Sequence, residues 1–344
     1  MKPVVLSVGL CFLGAIQGAE AAEPVGYHAF SVHAPERGAD LPVSVWYPAA
    51  EGGKPMLVGD STLFRGTAAR GDAPFAEGRF PLVLLSHGSG GNAPGLGWLA
   101  SRLAAEGFVV AAPNHPGSTT GNASQIATIK IWNRPADISA VITAVVADKR
   151  LGSRIDGNRI GVLGFSLGGN TALSLVGARA DAEAYSRYCE GSAAGPECAW
   201  FVRGGVSFKA LDKERFNRSN LDGRIKAAVV IDPAMAQAYQ PESLAKVAVP
   251  THIINLGRPG WIIPAIEGSK LARAIPGAGY DTVSDATHYS FLGECKPEGP
   301  AILKAEGDED PLCEDGGSRP RAAIHAQLVN MIVGFFRRQL QVGH

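Results

Sequence analysis

Along this chain, short runs of apolar residues alternate with longer stretches in which apolar positions recur every three to four residues. Pro81-Leu82-Val83-Leu84-Leu85 and Ala227-Ala228-Val229-Val230-Ile231 are apolar throughout, the pattern of a strand covered on both faces. The pattern predicts eight strands, over residues 27–33, 42–47, 82–86, 108–112, 160–163, 227–231, 251–256 and 281–284. It predicts five helices, over 93–106, 134–148, 167–178, 264–274 and 321–339. Alternation of this kind implies parallel strands joined by crossover helices on both faces, an α/β architecture. Three segments break it, residues 51–77, 180–222 and 293–318, and these read as insertions. In an open parallel sheet, ligands bind beyond the carboxyl ends of the strands, where insertions form a cap. Phe201, Phe208 and Phe216 in the second insertion are candidates to line an apolar pocket, with plain packing on the sheet as the other use. No repeat or low-complexity linker divides residues 22–344, so they form one domain.

The amino terminus has its own pattern. Met1-Lys2-Pro3 gives a basic start, an apolar run follows to Ile16, and Ala19-Glu20-Ala21 supplies small residues. Residues 1–21 therefore read as a secretory signal peptide, with export to the periplasm or the medium and a mature chain starting near Ala22. The run is shorter than the roughly 18 apolar residues of a membrane span, so no integral membrane segment is expected in the mature chain. Cys11 leaves with the signal. Cys189, Cys198, Cys295 and Cys313 remain, an even number in an oxidising compartment. Three pairings are open, and the Gly/Pro-rich stretch within each neighbouring pair favours Cys189 with Cys198 and Cys295 with Cys313. No CxxC or HxxxH spacing suggests a metal. Lysine plus arginine equals aspartate plus glutamate at 32 each, with no basic stripe, which removes support for nucleic-acid binding.

The chemistry concentrates at two junctions. Gly164-Phe165-Ser166-Leu167-Gly168 joins the strand over 160–163 to the helix starting at 167, so Ser166 would project from a sharp turn that needs minimal side chains at Gly164 and Gly168. Upstream, the strand over 82–86 runs into His87-Gly88-Ser89-Gly90-Gly91, a second strand-to-glycine junction. With these go Ala112-Pro113-Asn114-His115-Pro116-Gly117, Arg134-Pro135-Ala136-Asp137-Ile138-Ser139 and Thr287-His288-Tyr289-Ser290-Phe291-Leu292. On these motifs the chain resembles the α/β-hydrolase superfamily, and within it the branch of dienelactone hydrolase-like and platelet-activating-factor acetylhydrolase-like proteins, over nearly all of the mature chain.

The resemblance implies an α/β-hydrolase fold, a mostly parallel eight-stranded sheet with insertions at the strand carboxyl edge. It also implies hydrolysis of small to medium acyl esters through an acyl-serine, with no cofactor. A serine hydroxyl needs a base in reach and an acid to orient that base, in the chain order Ser, acid, His. His288 opens the loop after the last strand and is the expected base. His252 lies inside a strand, His325 inside a helix, and His344 is the last residue. Many relatives carry the acid after the next-to-last strand, but Asn255-Leu256-Gly257-Arg258-Pro259-Gly260 holds no carboxylate. Asp232, ending the preceding strand, is the expected acid, with Glu267, Asp281 and Asp285 as fallbacks. The amides of Ser89 and Leu167 are the expected oxyanion donors. His87 reads as an anchor for its loop. His115 reads as a pocket or backbone contact, Asp137 as favourable to a helix dipole, and Arg134 as able to pair with a carboxylate. The same triad would serve an amidase or peptidase, and a chain lacking a competent acid would be a non-catalytic binding protein.

Overall fold

The computed structural model of the protein describes residues 24–307 and 310–341; the expected signal peptide over 1–21 lies outside them. Its strands are β1 (Val25–Ala34), β2 (Ala39–Pro48), β3 (Lys54–Val58), β4 (Thr67–Gly71), β5 (Phe80–Ser86), β6 (Val109–Pro113), two-residue β7 (Ser118–Thr119) and β8 (Asn122–Ala123), β9 (Ile155–Phe165), β10 (Ile225–Ile231), β11 (Thr251–Leu256) and β12 (Gly279–Val283). Ten of them form one sheet in the order β12-β11-β10-β9-β5-β6-β2-β1-β4-β3. The six strands from β12 to β6 are parallel, β2 is antiparallel to both β6 and β1, and β4 is parallel to β1. All eight predicted strands are present. The additional two, β3 and β4, come from the segment 51–77, which extends the sheet sideways instead of covering its edge. Four of the five β3 residues are exposed, so no apolar run announced it.

The helices are α1 (Gly97–Ala105), α2 (Gln125–Thr128), α3 (Asn133–Ala147), α4 (Leu167–Leu175), α5 (Ala182–Glu190), α6 (Pro196–Arg203), α7 (Lys213–Phe216), α8 (Pro241–Leu244), α9 (Ser269–Ala274), α10 (Gly299–Glu306) and α11 (Arg321–Gln339). Successive strand residues point to opposite faces. Leu82 and Leu84 therefore pack with α3, α4 and α9, whereas Val83 and Leu85 pack with α1 and α11. The helix expected over 264–274 forms only from Ser269, because the Ile266 carbonyl and the Gly268 N–H are bonded to the Asn255 side chain instead of to a helical turn.

The second insertion folds into α5, α6 and α7 around Tyr185, Phe201, Phe208 and Phe216, a small core that Leu167 and Met235 join from the sheet edge. The three phenylalanines are buried against Tyr185. They pack the insertion and do not line an open pocket. The first and third insertions are joined to each other: Arg65 N–H donates to the Glu294 carbonyl at 2.8 Å, Lys296 N–H to the Leu63 carbonyl at 2.8 Å, and Lys296 pairs with Asp60 at 2.9 Å. The sulfurs of Cys189 and Cys198 lie 2.04 Å apart and those of Cys295 and Cys313 1.96 Å apart, disulfide distances for the two favoured pairings. Among the described residues no helix is long and apolar enough to cross a membrane.

Candidate active site

One residue separates the end of β9 from the start of α4, and that residue is Ser166. Reversing the chain in so short a space puts it at φ 56°, ψ −117°, a conformation that costs a non-glycine residue about 1–3 kcal/mol and persists only where its surroundings impose it. Here they do. Ser166 N–H donates to the Ile231 carbonyl at 2.9 Å, and the Ser166 carbonyl accepts from Gly169 N–H at 2.8 Å and Ala234 N–H at 2.9 Å. A Cβ on Gly164 would overlap the Gly168 carbonyl, and one on Gly168 would overlap the Ser86 carbonyl. The two glycines are therefore fixed by backbone contact.

Asp232 stands at the end of the neighbouring strand, also at positive φ (43°), with its N–H on the Ile254 carbonyl at 3.0 Å. Its Oδ1 accepts from Asn255 Nδ2 at 2.7 Å and Leu256 N–H at 2.8 Å. Its Oδ2 lies 2.9 Å from His288 Nδ1, which donates to it. The carboxylate is fully buried, and the His288 side chain is 26% exposed. The loop carrying His288 is held by a reciprocal Thr287–Ser290 cap. The imidazole rests on Phe165 (centroids 4.6 Å apart), the residue preceding Ser166, and the aromatic column continues through Phe291 and Trp98 to His325. Asp232 and His288 are thus in contact, and Ser166 is set beside them by Phe165 and by the Ile231 carbonyl. The Ser166 hydroxyl has no hydrogen-bond partner among the described residues.

The other carboxylates go elsewhere. Glu267 accepts from Ser269 N–H at 2.8 Å, Asp281 pairs with His252 at 2.9 Å, and Asp285 pairs with Arg319 at 2.6 Å. The His87–Gly91 loop crosses beside the serine, so that a Cβ on Gly88 would sit 3.2 Å from the Ser166 Cβ. Neither the Ser89 nor the Leu167 amide is hydrogen-bonded among the described residues. His87 anchors this loop as expected: Nδ1–H donates to the Gly88 carbonyl at 2.7 Å, and Nε2 accepts from His115 N–H at 3.2 Å. Burial, then the Arg134 charge, hold its pKa well below the usual histidine value.

Beneath the loop lies a buried network that the sequence did not reveal. His115 does not line a pocket: its Nδ1–H donates to Asp137 Oδ2 at 2.8 Å and its Nε2 accepts from the Ser86 hydroxyl at 3.0 Å, with all three side chains fully buried. Asp137 is no dipole partner either, because Arg37, a hundred residues earlier, grips both its oxygens at 2.7 Å. Arg134 takes no carboxylate; it donates to Thr171 Oγ1, Ser118 Oγ, Ser86 Oγ and the His87 carbonyl. Burial lowers its pKa to about 9 and raises that of Asp137 against the pull of Arg37. Burial, with Arg134 and Arg37 adding to it, also holds His115 well below its usual value. A surface cavity of about 590 Å³ lies on the outer strands β1, β3 and β4, lined by residues such as Met56, Leu57 and Arg70. It is five strands from Ser166, roughly 24 Å at about 4.8 Å per strand, and is not part of this site. Among the described residues no group of three or more His, Cys, Asp or Glu could hold a metal ion.

No protein-family model matches the chain, and no curated protein sequence matches it. Solved structures do. A ferulic acid esterase from Streptomyces cinnamoneus is 20% identical, with 95% of this chain aligned to 92% of that one at a TM-score of 0.63. This chain has the α/β-hydrolase fold. A second structure with which this chain aligns is a puromycin-hydrolysing peptidase from Mycobacterium tuberculosis, 14% identical with a TM-score of 0.52. The alignment spans 92% of this chain and 40% of the peptidase. At the site itself, the residue that sequence reasoning passes over is Asn255. Its signal is a polar residue inside an otherwise apolar stretch of strand.

Proposed function

We propose that the protein is an exported serine hydrolase that cleaves carboxylic esters of small to medium acyl groups. The observation that carries this reading is the Asp232–His288 hydrogen bond beside a serine held in strained backbone, at the carboxyl edge of a parallel sheet. Ser166 is the nucleophile, His288 the general base and acid, and Asp232 the group that orients the imidazole. With Nδ1–H committed to Asp232, Nε2 is the atom left to take the Ser166 proton as Oγ attacks the ester carbonyl carbon. The amides of Leu167 and Ser89 receive the oxyanion, and losing one such donor costs about 3 kcal/mol in the transition state. His288 returns the proton to the leaving alkoxide as the carbonyl–oxygen bond breaks. Water then repeats the sequence on the acyl-serine and releases the acid. A rotation of the Ser166 side chain toward Nε2 completes the hydrogen bond, as in other sites that tighten on substrate binding.

Likeness to an esterase favours esters, and likeness to a peptidase keeps amides as the second reading. Two cysteine pairs at disulfide distance support an oxidising compartment and hence export. The deciding experiment measures a p-nitrophenyl ester series from acetate to dodecanoate and the matching anilides, with Ser166→Ala in parallel. Ester turnover lost in the variant supports the reading, and the chain-length optimum sizes the acyl pocket. Anilide turnover exceeding ester turnover would move the assignment to an amidase. Folded protein inactive on every substrate would favour a non-catalytic binding protein.

A further inference from the structure

Asp232 uses only one of its oxygens on His288. The other is met by the Asn255 amide, and the orientation of that amide is fixed by its surroundings. Asn255 is fully buried on β11. Its Oδ1 accepts from Gly268 N–H at 2.8 Å and from the Tyr280 hydroxyl at 3.2 Å. Its Nδ2 donates to the Ile266 carbonyl at 2.8 Å. A backbone N–H only donates and a carbonyl only accepts, so the two ends of this amide cannot be exchanged. A donor therefore faces Asp232, and Asp232 Oδ1, already taking the Leu256 N–H, must be an acceptor. Two donors occupy Oδ1 in a fully buried pocket, which leaves Oδ2 as the oxygen presented to His288.

We propose that Asn255 is a positioning residue: by donating to Asp232 Oδ1 it holds Oδ2 aimed at His288, and ties that geometry to the 266–268 turn and to Tyr280. This deepens the proposed function and rests on the reading of Asp232 and His288 as acid and base. The isosteric change Asn255→Asp isolates the point. A second carboxyl 2.7 Å from Asp232 Oδ1 reproduces the amide only while the pair shares a proton, because two carboxylates at that distance do not both ionise. The charged and titratable groups facing the pair are His288 on the far oxygen of Asp232 and Tyr280 on β12, with Glu267 in the adjoining turn and Arg273 acting on Tyr280. Burial, followed by Glu267 and Asp232, raises the Tyr280 pKa, so its hydroxyl stays a donor.

The test has one readout in turnover and one without it. For Asn255→Asp, kcat on p-nitrophenyl acetate acquires a descending limb on the alkaline side that the wild type lacks, with KM within about twofold. For Asn255→Leu, kcat falls about 10- to 100-fold at every pH. Without turnover, the low-field proton resonance of His288 Nδ1–H, assigned by its loss in His288→Gln, shifts with pH in Asn255→Asp over the range of that limb and stays fixed in wild type. Profiles and resonance that superimpose on wild type would overturn the proposal. If neither variant folds, the wild-type Asn255 side-chain amide resonances decide. They move as His288 titrates if Asp232 couples the two, and stationary signals refute the inference. The hydrolase reading stands or falls separately on Ser166→Ala, since the resonance measurements need no activity.

Discussion

Of the Asp–His pairs among the described residues, two stand beside a strand-end serine with nearly equal geometry, Asp232–His288 at 2.9 Å and Asp137–His115 at 2.8 Å. In the second, His115 Nε2 even meets a serine hydroxyl at 3.0 Å. Judged by distances alone, Ser86–His115–Asp137 is the more complete triad. The difference lies in what surrounds the imidazole. His115 is wholly buried, its serine ends a central strand in ordinary extended company, and Arg134 and Arg37 close the network from either side. Each guanidinium nitrogen there donates to a protein acceptor, so the assembly ties β5, β6 and α3 together under the His87–Gly91 loop. His288 keeps part of its ring exposed, Ser166 is held out of the sheet by strained backbone, and two amides nearby are unused. Side-chain hydrogen bonds of the same kind are sealed into a structural network in one place and left with part of the ring exposed in the other, where the proposed chemistry needs it.

The largest effect should separate the two serines. Ser166→Ala should lower ester turnover by on the order of 10⁴-fold or more. Ser86→Ala should leave turnover within about tenfold while costing about 1–3 kcal/mol of stability, because His115 Nε2 and an Arg134 donor lose their partner in a buried site. Activity assays beside urea denaturation read both, and loss of turnover in Ser86→Ala with Ser166→Ala active would invert the comparison.

The two aspartates should divide in the same way. Asp232→Asn should reduce kcat by about 10⁴-fold with a modest change in midpoint. Asp137→Asn strips the Arg37 guanidinium, itself only 12% exposed, of its carboxylate, and breaking such a buried pair typically costs about 3–5 kcal/mol. Equal stability losses in the two variants would mean that the first pair is also mainly structural.

A smaller effect concerns pH. His87, His115 and His325 are all held neutral by burial, His325 with its pKa pushed down to about 4. In the unfolded chain each titrates near the ordinary value of about 6.5. The unfolded state therefore binds more protons below that pH, and stability, complete above about 6.5, is lost as pH falls. For His325 the window runs from about 6.5 to about 4. His325→Gln should remove up to one proton from the slope of unfolding free energy against pH across that window. An unchanged slope would show that burial of the ring against Trp98 does not keep it neutral over the pull of the Ser290 and Leu292 carbonyls, which favour the charged form.

Smallest in its effect on turnover, reduction of Cys189–Cys198 should cost about 2–3 kcal/mol by the loop-entropy argument, confined to the insertion and without loss of turnover. A large loss of activity would show that the insertion shapes the site directly through Leu167 and Met235.

The sequence by itself determined the parallel sheet, because strands buried on both faces must be apolar throughout, and it determined the serine turn, because backbone contact at Gly164 and Gly168 admits no side chain. His288 and Asp232 were legible as strand-end polar residues in a set chain order. The outer strands β3 and β4 were not, since an exposed edge carries no burial pattern. The partners of Asp137, Arg134 and Asn255 were equally hidden. Arg37 reaches Asp137 across a hundred positions, and Asn255 meets Asp232 from the next strand. Such pairings leave no local period, because they are made by strand order and by where the chain returns in space. Which of two similar Asp–His pairs is open to solvent was therefore decided by tertiary packing alone.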